Sequence, residues 1–273
     1  MTDNLYERAR DCLLCRDPDA KMDCVQALRQ DWYVAGLARP AGSPAEAITT
    51  PGRPARPPLV SHDLLPRRKP GSLEGRAALI HAVTHIEFNA INLALDAVYR
   101  FREMPDAYYG DWLEVAAEEA GHFQLLREHL REQGYDYGSF DAHDGLWEMA
   151  VKTAGDPLVR MALVPRVLEA RGLDVTPAMM ARLEQAGDVR AAEILAVILK
   201  DEVGHVAVGS RWYHWLCEAR GLEPVVTFGE LVRRYTGHLP KGPLNLPARR
   251  QAGFSNEELD MLTQTESPEA GDA

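Results

Sequence analysis

Strand signals are nearly absent from these 273 residues: no run alternates Val, Ile, Thr or aromatic residues with polar ones between hairpin dipeptides, which excludes a β-rich fold. Long apolar runs are missing too. The longest, Ile194 to Leu199, is far too short to cross a bilayer, so no membrane partner is expected. The first eleven residues lack the basic-then-apolar layout of a secretory signal. Four cysteines do not make a disulfide scaffold in a chain of this length, and a reducing, cytoplasmic location is expected. Cys12 and Cys15 have metal or redox spacing, but no second such pair exists, and an ordinary amphipathic helix accounts for them. Positive charge is also short: 30 Lys+Arg against 41 Asp+Glu leave a net charge of −11, which argues against a nucleic-acid binder held by bulk charge. What remains, 46% hydrophobic and 26% charged, is the composition of an ordinary globular protein with length enough for a large core.

The charge is unevenly spread. Arg39 to Pro70 holds eight of the 18 prolines and six bases against Glu46 and Asp63, and reads as an extended basic loop lying on the surface or over a neighbour. A second basic stretch, His238 to Gly253, carries Lys241, Arg249 and Arg250 without acids. The tail from Phe254 holds six acids and no base, and its last residues are expected to be disordered. Between these stretches the chain reads as helix. Ser72 starts a helix reaching about Arg102; a second runs from Pro105 or Asp106 to Gln133, where Gly134 stops it. A third spans Asp156 to Arg171 before Gly172, Thr176-Pro177 opens another segment, and the last covers Val189 to Arg220 before Gly221. This predicts an all-α protein: an N-terminal helix and basic Pro-rich loop packing on a bundle (1–71), an antiparallel four-helix bundle (72–221), and a C-terminal helix, basic loop and acidic tail (222–273).

Two pentapeptides carry chemistry: Glu118-Glu119-Ala120-Gly121-His122 and Asp201-Glu202-Val203-Gly204-His205. On a helix, positions i and i+3 project from one face, so Glu-x-x-His can offer a carboxylate and an imidazole to one metal ion. With 22 Glu and nine His, chance gives roughly 0.7 copies of that spacing, so one copy would be noise; two copies sharing the preceding acid and the glycine are not. Trp112, Val115, Glu119, His122 and Leu126 step by 3, 4, 3 and 4, as a buried seam does, and Leu195, Ile198, Glu202 and His205 continue the pattern in the last helix. Each motif has an upstream partner: Glu87, 32 positions before Glu119, on a stripe with Ile80, Val83 and Ala90, and Glu169, 33 positions before Glu202. The chain is thus a pseudo-repeat of Glu followed by Glu-x-x-His. Four antiparallel helices would gather four carboxylates and two histidines at mid-bundle, the ligand set of a carboxylate-bridged dinuclear site. Two divalent ions (+4) would neutralise four carboxylates (−4), and uncompensated buried charge is prohibitive. His81 and His85 are spaced to chelate one ion, but His85 lies about 200° around the helix from Glu87; hydrogen bonding behind the ligands or between helices is its expected role. Tyr99, Tyr108 and Tyr109 are expected to pack.

From His85-Ile86-Glu87-Phe88-Asn89-Ala90-Ile91 through Asp201-Glu202-Val203-Gly204-His205, the sequence resembles the ferritin-like superfamily, and more closely a bacterial family catalogued as a ferritin-like domain of unknown function. The resemblance takes in the helical N-terminus and the Ala252-Gly253-Phe254 region. It implies a ferritin-like bundle with Glu87, Glu119, His122, Glu169, Glu202 and His205 as ligands of two metal ions. It further implies that the acid before each motif, Asp201 or Glu118, accepts a ring N–H of a ligating histidine, which raises its basicity.

The function so implied is that of a non-haem di-iron oxidoreductase that activates O2 to oxidise or hydroxylate an organic small molecule, with electrons from a reductase or from the substrate. Iron is the expected metal, although manganese or zinc also suits an N/O ligand set. A more distant resemblance to the di-iron hydroxylase that modifies tRNA makes the basic stretches a lesser, RNA-binding branch. Two rival readings stand beside the enzyme: an iron-binding or ferroxidase protein, and a non-catalytic scaffold whose metals only hold the bundle. An oligomer is compatible with all of them.

Overall fold

The computed structural model describes residues 4–40, 44–66, 68–240 and 242–263. The terminal part of the acidic tail lies outside the described residues, as do Arg67 and Lys241 of the basic stretches. The chain runs through α1 (Leu5–Leu14), α2 (Pro18–Ala35), α3 (Leu73–Arg100), α4 (Asp106–Glu132) and α5 (Gly145–Lys152). It continues through α6 (Pro157–Leu163), a π-helical turn (Val164–Glu169), α7 (Ala170–Gln185), α8 (Val189–Arg220), α9 (Pro224–Thr236), α10 (Leu246–Gln251) and α11 (Asn256–Thr263). Among the described residues there is no strand, only the isolated bridges Asn4–Ala38 and Leu59–Ala142, so the protein is all-α. No helix there is long and apolar enough to cross a membrane.

The long helices begin and end where the local chemistry dictates. Ser72 accepts from the Gly75 amide at 3.0 Å to cap α3, and Asp188 accepts from the Ala191 amide at 3.1 Å to cap α8. Gly134 and Gly221 follow α4 and α8 at φ of 83° and 63°, the left-handed conformation that lets the chain turn away. α3 packs on α4, α4 on α8, and α8 on α6, the π turn and α7. The apolar interior divides in two along these helices. One cluster contains Ala77, Ile80 and Val83 with Leu126, Leu130, Leu195 and Ile198. The larger one contains Phe88, Ile91, Trp112, Phe123, Val206 and Trp212. The gap between them falls at the same height on three helices, around residues 87, 119–122 and 202–205.

One expectation fails between 164 and 177. Gly172 does not stop the third helix, and Pro177 does not start a new one, because it sits inside α7. Pro165 supplies no amide, and the Ala170 amide bonds its carbonyl five residues back, so the helix widens into a π turn instead of ending. Gly209 of α8 faces that turn: a Cβ there would stand 2.3 Å from the Pro165 ring. Pro177 likewise cannot bond the Leu173 carbonyl, which instead accepts from Asn245 Nδ2 at 3.1 Å. A partner distant in sequence replaces the lost helical bond.

The N-terminal region packs α1 on α3 and α2 on α4. Lys21 is fully buried, donating to the Leu13 carbonyl at 2.9 Å and to Asn92 Oδ1 at 2.5 Å, and burial lowers its pKa to about 7. Cys12 and Cys24 are joined by a disulfide between α1 and α2 while Cys15 stays free, so the expected cytoplasmic location loses its support from the cysteine count. The Pro-rich loop does lie over a neighbour: Gly52 N donates to the Leu13 carbonyl at 2.9 Å, and Val60 N to the Ala142 carbonyl at 2.9 Å.

The C-terminal helices are tied to the π turn by one buried pair. Arg166 donates to Glu258 Oε1 of α11 at 2.6 Å, both side chains being fully buried. The Arg166 guanidinium lies 4.4, 4.3 and 4.5 Å from the ring centroids of Tyr213, Phe228 and Phe254. Removing one partner of such a pair strands the other charge away from water. Glu258→Ala is therefore expected to lower the unfolding free energy by about 3–5 kcal/mol, measured by urea denaturation; a loss under ~1 kcal/mol would mean that Arg166 finds solvent.

Candidate metal centre

The gap between the two apolar clusters is filled by ionisable side chains. Glu87 of α3, Glu119 and His122 of α4 and Glu202 of α8 place ligand atoms within 4.8 Å of one another. His122 Nδ1 lies 3.1 Å from Glu87 Oε2 and 3.3 Å from Glu119 Oε2. His205 Nδ1 lies 3.0 Å from Glu119 Oε1 and 3.8 Å from Glu202 Oε1. The imidazole rings are 5.7 Å apart, with Glu119 between them. Glu87, Glu119, His122 and His205 are at most 2% exposed, whereas the Glu202 side chain is 12% exposed, so the α8 side is the more open one. Glu169, at the end of the π turn, belongs to the same electrostatic group: Glu202 and then Glu119 are the charges that act most on it.

The acids preceding the two motifs cross over. Asp201 Oδ2 lies 3.2 Å from Nε2 of His122, and Glu118 Oε2 lies 2.7 Å from Nε2 of His205. Each acid therefore serves the histidine of the other helix. An Nε2–H donating outward leaves Nδ1 as the free nitrogen facing the carboxylates. His85 does not join this group: it pairs with Tyr137 Oη at 2.9 Å and the His143 carbonyl at 3.0 Å, tying α3 to the loop after α4. Of the two expected roles, a bond behind the Glu87 group or one across the fold, His85 makes the second, reaching the loop after α4 instead of another helix, because it points about 200° away from Glu87. His81 accepts from the Gly138 amide at 2.9 Å in the same region. Tyr99, Tyr108 and Tyr109 are buried packing residues, Tyr109 donating to the Phe101 carbonyl at 2.9 Å. Nothing in the structure requires glycine at 121 or 204, where a Cβ would meet open space.

The electrostatics of the group are those of charge short of a counter-ion. Burial, reinforced by neighbouring carboxylates, pushes Glu87, Glu169 and Glu202 upward. Burial opposes ionisation of Glu119 as well, but His205 and His122 outweigh it and hold that carboxyl well below the usual range. Burial likewise opposes protonation of His122, yet Glu119 and Glu87 raise it to about 11, and against the same burial His205 is raised by Glu119, Glu118 and Glu202. Even so, Oε2 of Glu169 and Oε2 of Glu202 are buried without a hydrogen-bond partner, and Oε1 of Glu119 and Nδ1 of His205 face each other at 3.0 Å without hydrogen-bond alignment. Orphaned acceptors of this kind are what a cation satisfies, so the group could hold metal.

Sequence reasoning did not find Arg166, Tyr137 or the Asp188 cluster, where His129 Nε2 and Gln133 Nε2 each approach the α8 cap at 2.9 Å. The signal for Arg166 was only its place three residues before Glu169 in the same helical stretch.

Residues 14–260 match the profile of a family described as a protein of unknown function (DUF455). A Haemophilus influenzae protein described as uncharacterized is 50% identical over 220 residues, which cover 78% of this chain and 76% of its own length. No solved structure matches the chain.

Two outcomes follow from the charges. Glu169 has a buried, unsatisfied oxygen, so Glu169→Met is expected to stabilise the metal-free protein by about 1–3 kcal/mol, seen as a higher Tm; a lower Tm would show that the carboxyl is satisfied. Burial lowers the pKa of His81 and His85 to about 4. Between pH 6.5 and 4 the unfolded chain takes protons that these native imidazoles refuse, so stability falls as pH falls through that window. The loss from pH 7 to pH 5 should be smaller by about 2 kcal/mol in His81→Gln, read from urea midpoints at each pH; an unchanged loss would place the titration elsewhere.

Proposed function

The chain belongs to the DUF455 family, and we propose that its buried carboxylate–histidine group is a dinuclear metal centre in a ferritin-like four-helix bundle, serving a di-iron oxidoreductase that uses O2 on an organic substrate. Residues 72–221 form the bundle in this reading, with the described residues of 1–71 and of 222–263 packed around it. One observation carries it: two Glu-x-x-His motifs meet face to face, each histidine held from behind by the acid of the opposite motif.

Glu87, Glu119, His122, Glu169, Glu202 and His205 would hold two ions, and the four carboxylates would balance their charge. The orphaned oxygens of Glu169 and Glu202 lack partners without them, and Glu119 Oε1 and His205 Nδ1 have only each other, out of hydrogen-bond alignment. When bound, two iron ions would supply electrons and open coordination positions for dioxygen. The chain's own residues do the rest. Asp201 and Glu118 fix the tautomer of His122 and His205, presenting Nδ1 to the centre. The apolar clusters above and below keep water from the site, and the less buried Glu202 side leaves the approach for a substrate.

Metal analysis of the protein loaded anaerobically with Fe(II) should give two ions per chain, and one in Glu119→Ala or His205→Ala. Two tightly held ions in both variants would refute the ligand assignment. Rapid mixing of the loaded protein with O2 should give an absorbance transient; its absence would favour a metal-stabilised scaffold.

A further inference from the structure

α3 and α7 do not close on each other along their whole length: between them lies a cavity of about 460 Å³, within the range of small-molecule sites. Its apolar wall is made by Leu79 and Ala82 of α3 and by Val175 and Met179 of α7. Three arginines line it, Arg68, Arg171 and Arg182, against one acid, Asp174. That acid is already engaged, because Arg249 donates to both its oxygens at 3.0 and 2.7 Å. Arg68 is paired with Glu74 at 3.1 Å. Arg171 approaches Asp174 only to 3.6 Å, and its Nη1 is shut off from water without a hydrogen-bond partner. Arg182 has no side-chain ion pair among the described residues. In a chain of net charge −11, this is a local excess of guanidinium against an apolar wall.

We propose that this cavity binds an amphipathic anion: a carboxylate or phosphate monoester met by Arg171 and Arg182, with an aliphatic body along Leu79, Ala82, Val175 and Met179. Guanidinium groups recognise both head groups through paired N–H donors, and the wall supplies the apolar burial that holds the body. The cavity neighbours the metal centre in the chain. Arg171 follows Glu169 by two residues and Ala82 precedes Glu87 by five, about 3 and 7.5 Å of helix rise. That the ligand is the substrate rests on the reading of the metal centre; that it binds does not.

Calorimetric titration of the full-length protein with sodium decanoate and with decyl phosphate tests this, decyltrimethylammonium being the control. Saturable binding of one ligand per chain is expected for at least one anion, at least tenfold tighter than for the cation. Arg182→Glu and Arg171→Glu should each weaken it at least tenfold, and the preferred anion tells carboxylate from phosphate. No saturable binding of either anion, or affinities unchanged in both arginine variants, would overturn the proposal. Glu119→Ala separates the two readings: metal loss with decanoate or decyl phosphate binding retained supports an independent cavity, whereas loss of anion binding in that folded variant would overturn it.

Discussion

Charge withdrawn from water at mid-height of the helices is the constraint around which this protein is built. Glu87, Glu119, His122 and His205 are almost completely buried, and they separate one apolar cluster from the other. Two shorter cores leave between them a layer that hydrophobic packing alone cannot fill. Burial of unpaired carboxylates is costly enough that such a layer persists only if its charge is matched. Protonated imidazoles can do part of this, as the raised pKa values of His122 and His205 indicate, but oxygens of Glu169 and Glu202 stay unmatched. The proposed cations would complete the balance.

The layer is held from outside as much as from within. Asp201 and Glu118 reach across to the opposite histidine, so α4 and α8 are cross-linked by two reciprocal contacts and not by separate ones. This arrangement fixes the ring orientation of both histidines and makes the position of either helix depend on the other. The fourth carboxylate is treated differently. Glu169 ends a π turn that Pro165 imposes, Gly209 allows α8 to approach, and Arg166 anchors through Glu258 in α11. The C-terminal helices therefore bear on the geometry of Glu169, although they contribute no ligand atom to the group.

Much of this was legible in the sequence because it is written at helical spacing. Two Glu-x-x-His motifs and two upstream glutamates fall on apolar stripes, and helical periodicity alone turns them toward the core, while the preceding acids Glu118 and Asp201 lie one position off those stripes. The cap at Ser72 and the stops at Gly134 and Gly221 are local chemistry, and the structure keeps them. Gly172 and Pro177 misled, because a helix broken by proline can continue when something else takes the freed carbonyl. Here that is Asn245, 72 residues from Leu173.

The sequence by itself determined the all-α class, the ends of α3, α4 and α8 and the inward turn of the two Glu-x-x-His motifs, since each depends on neighbours within one or two turns. Only the tertiary structure decided that Asp201 serves His122 and Glu118 serves His205, that His85 turns to Tyr137, and that Cys12 meets Cys24. It alone decided that Glu258 neutralises Arg166 and that a cavity stays open between α3 and α7. Those outcomes rest on distances between helices, and no periodicity along one chain encodes which face of a second helix arrives opposite the first.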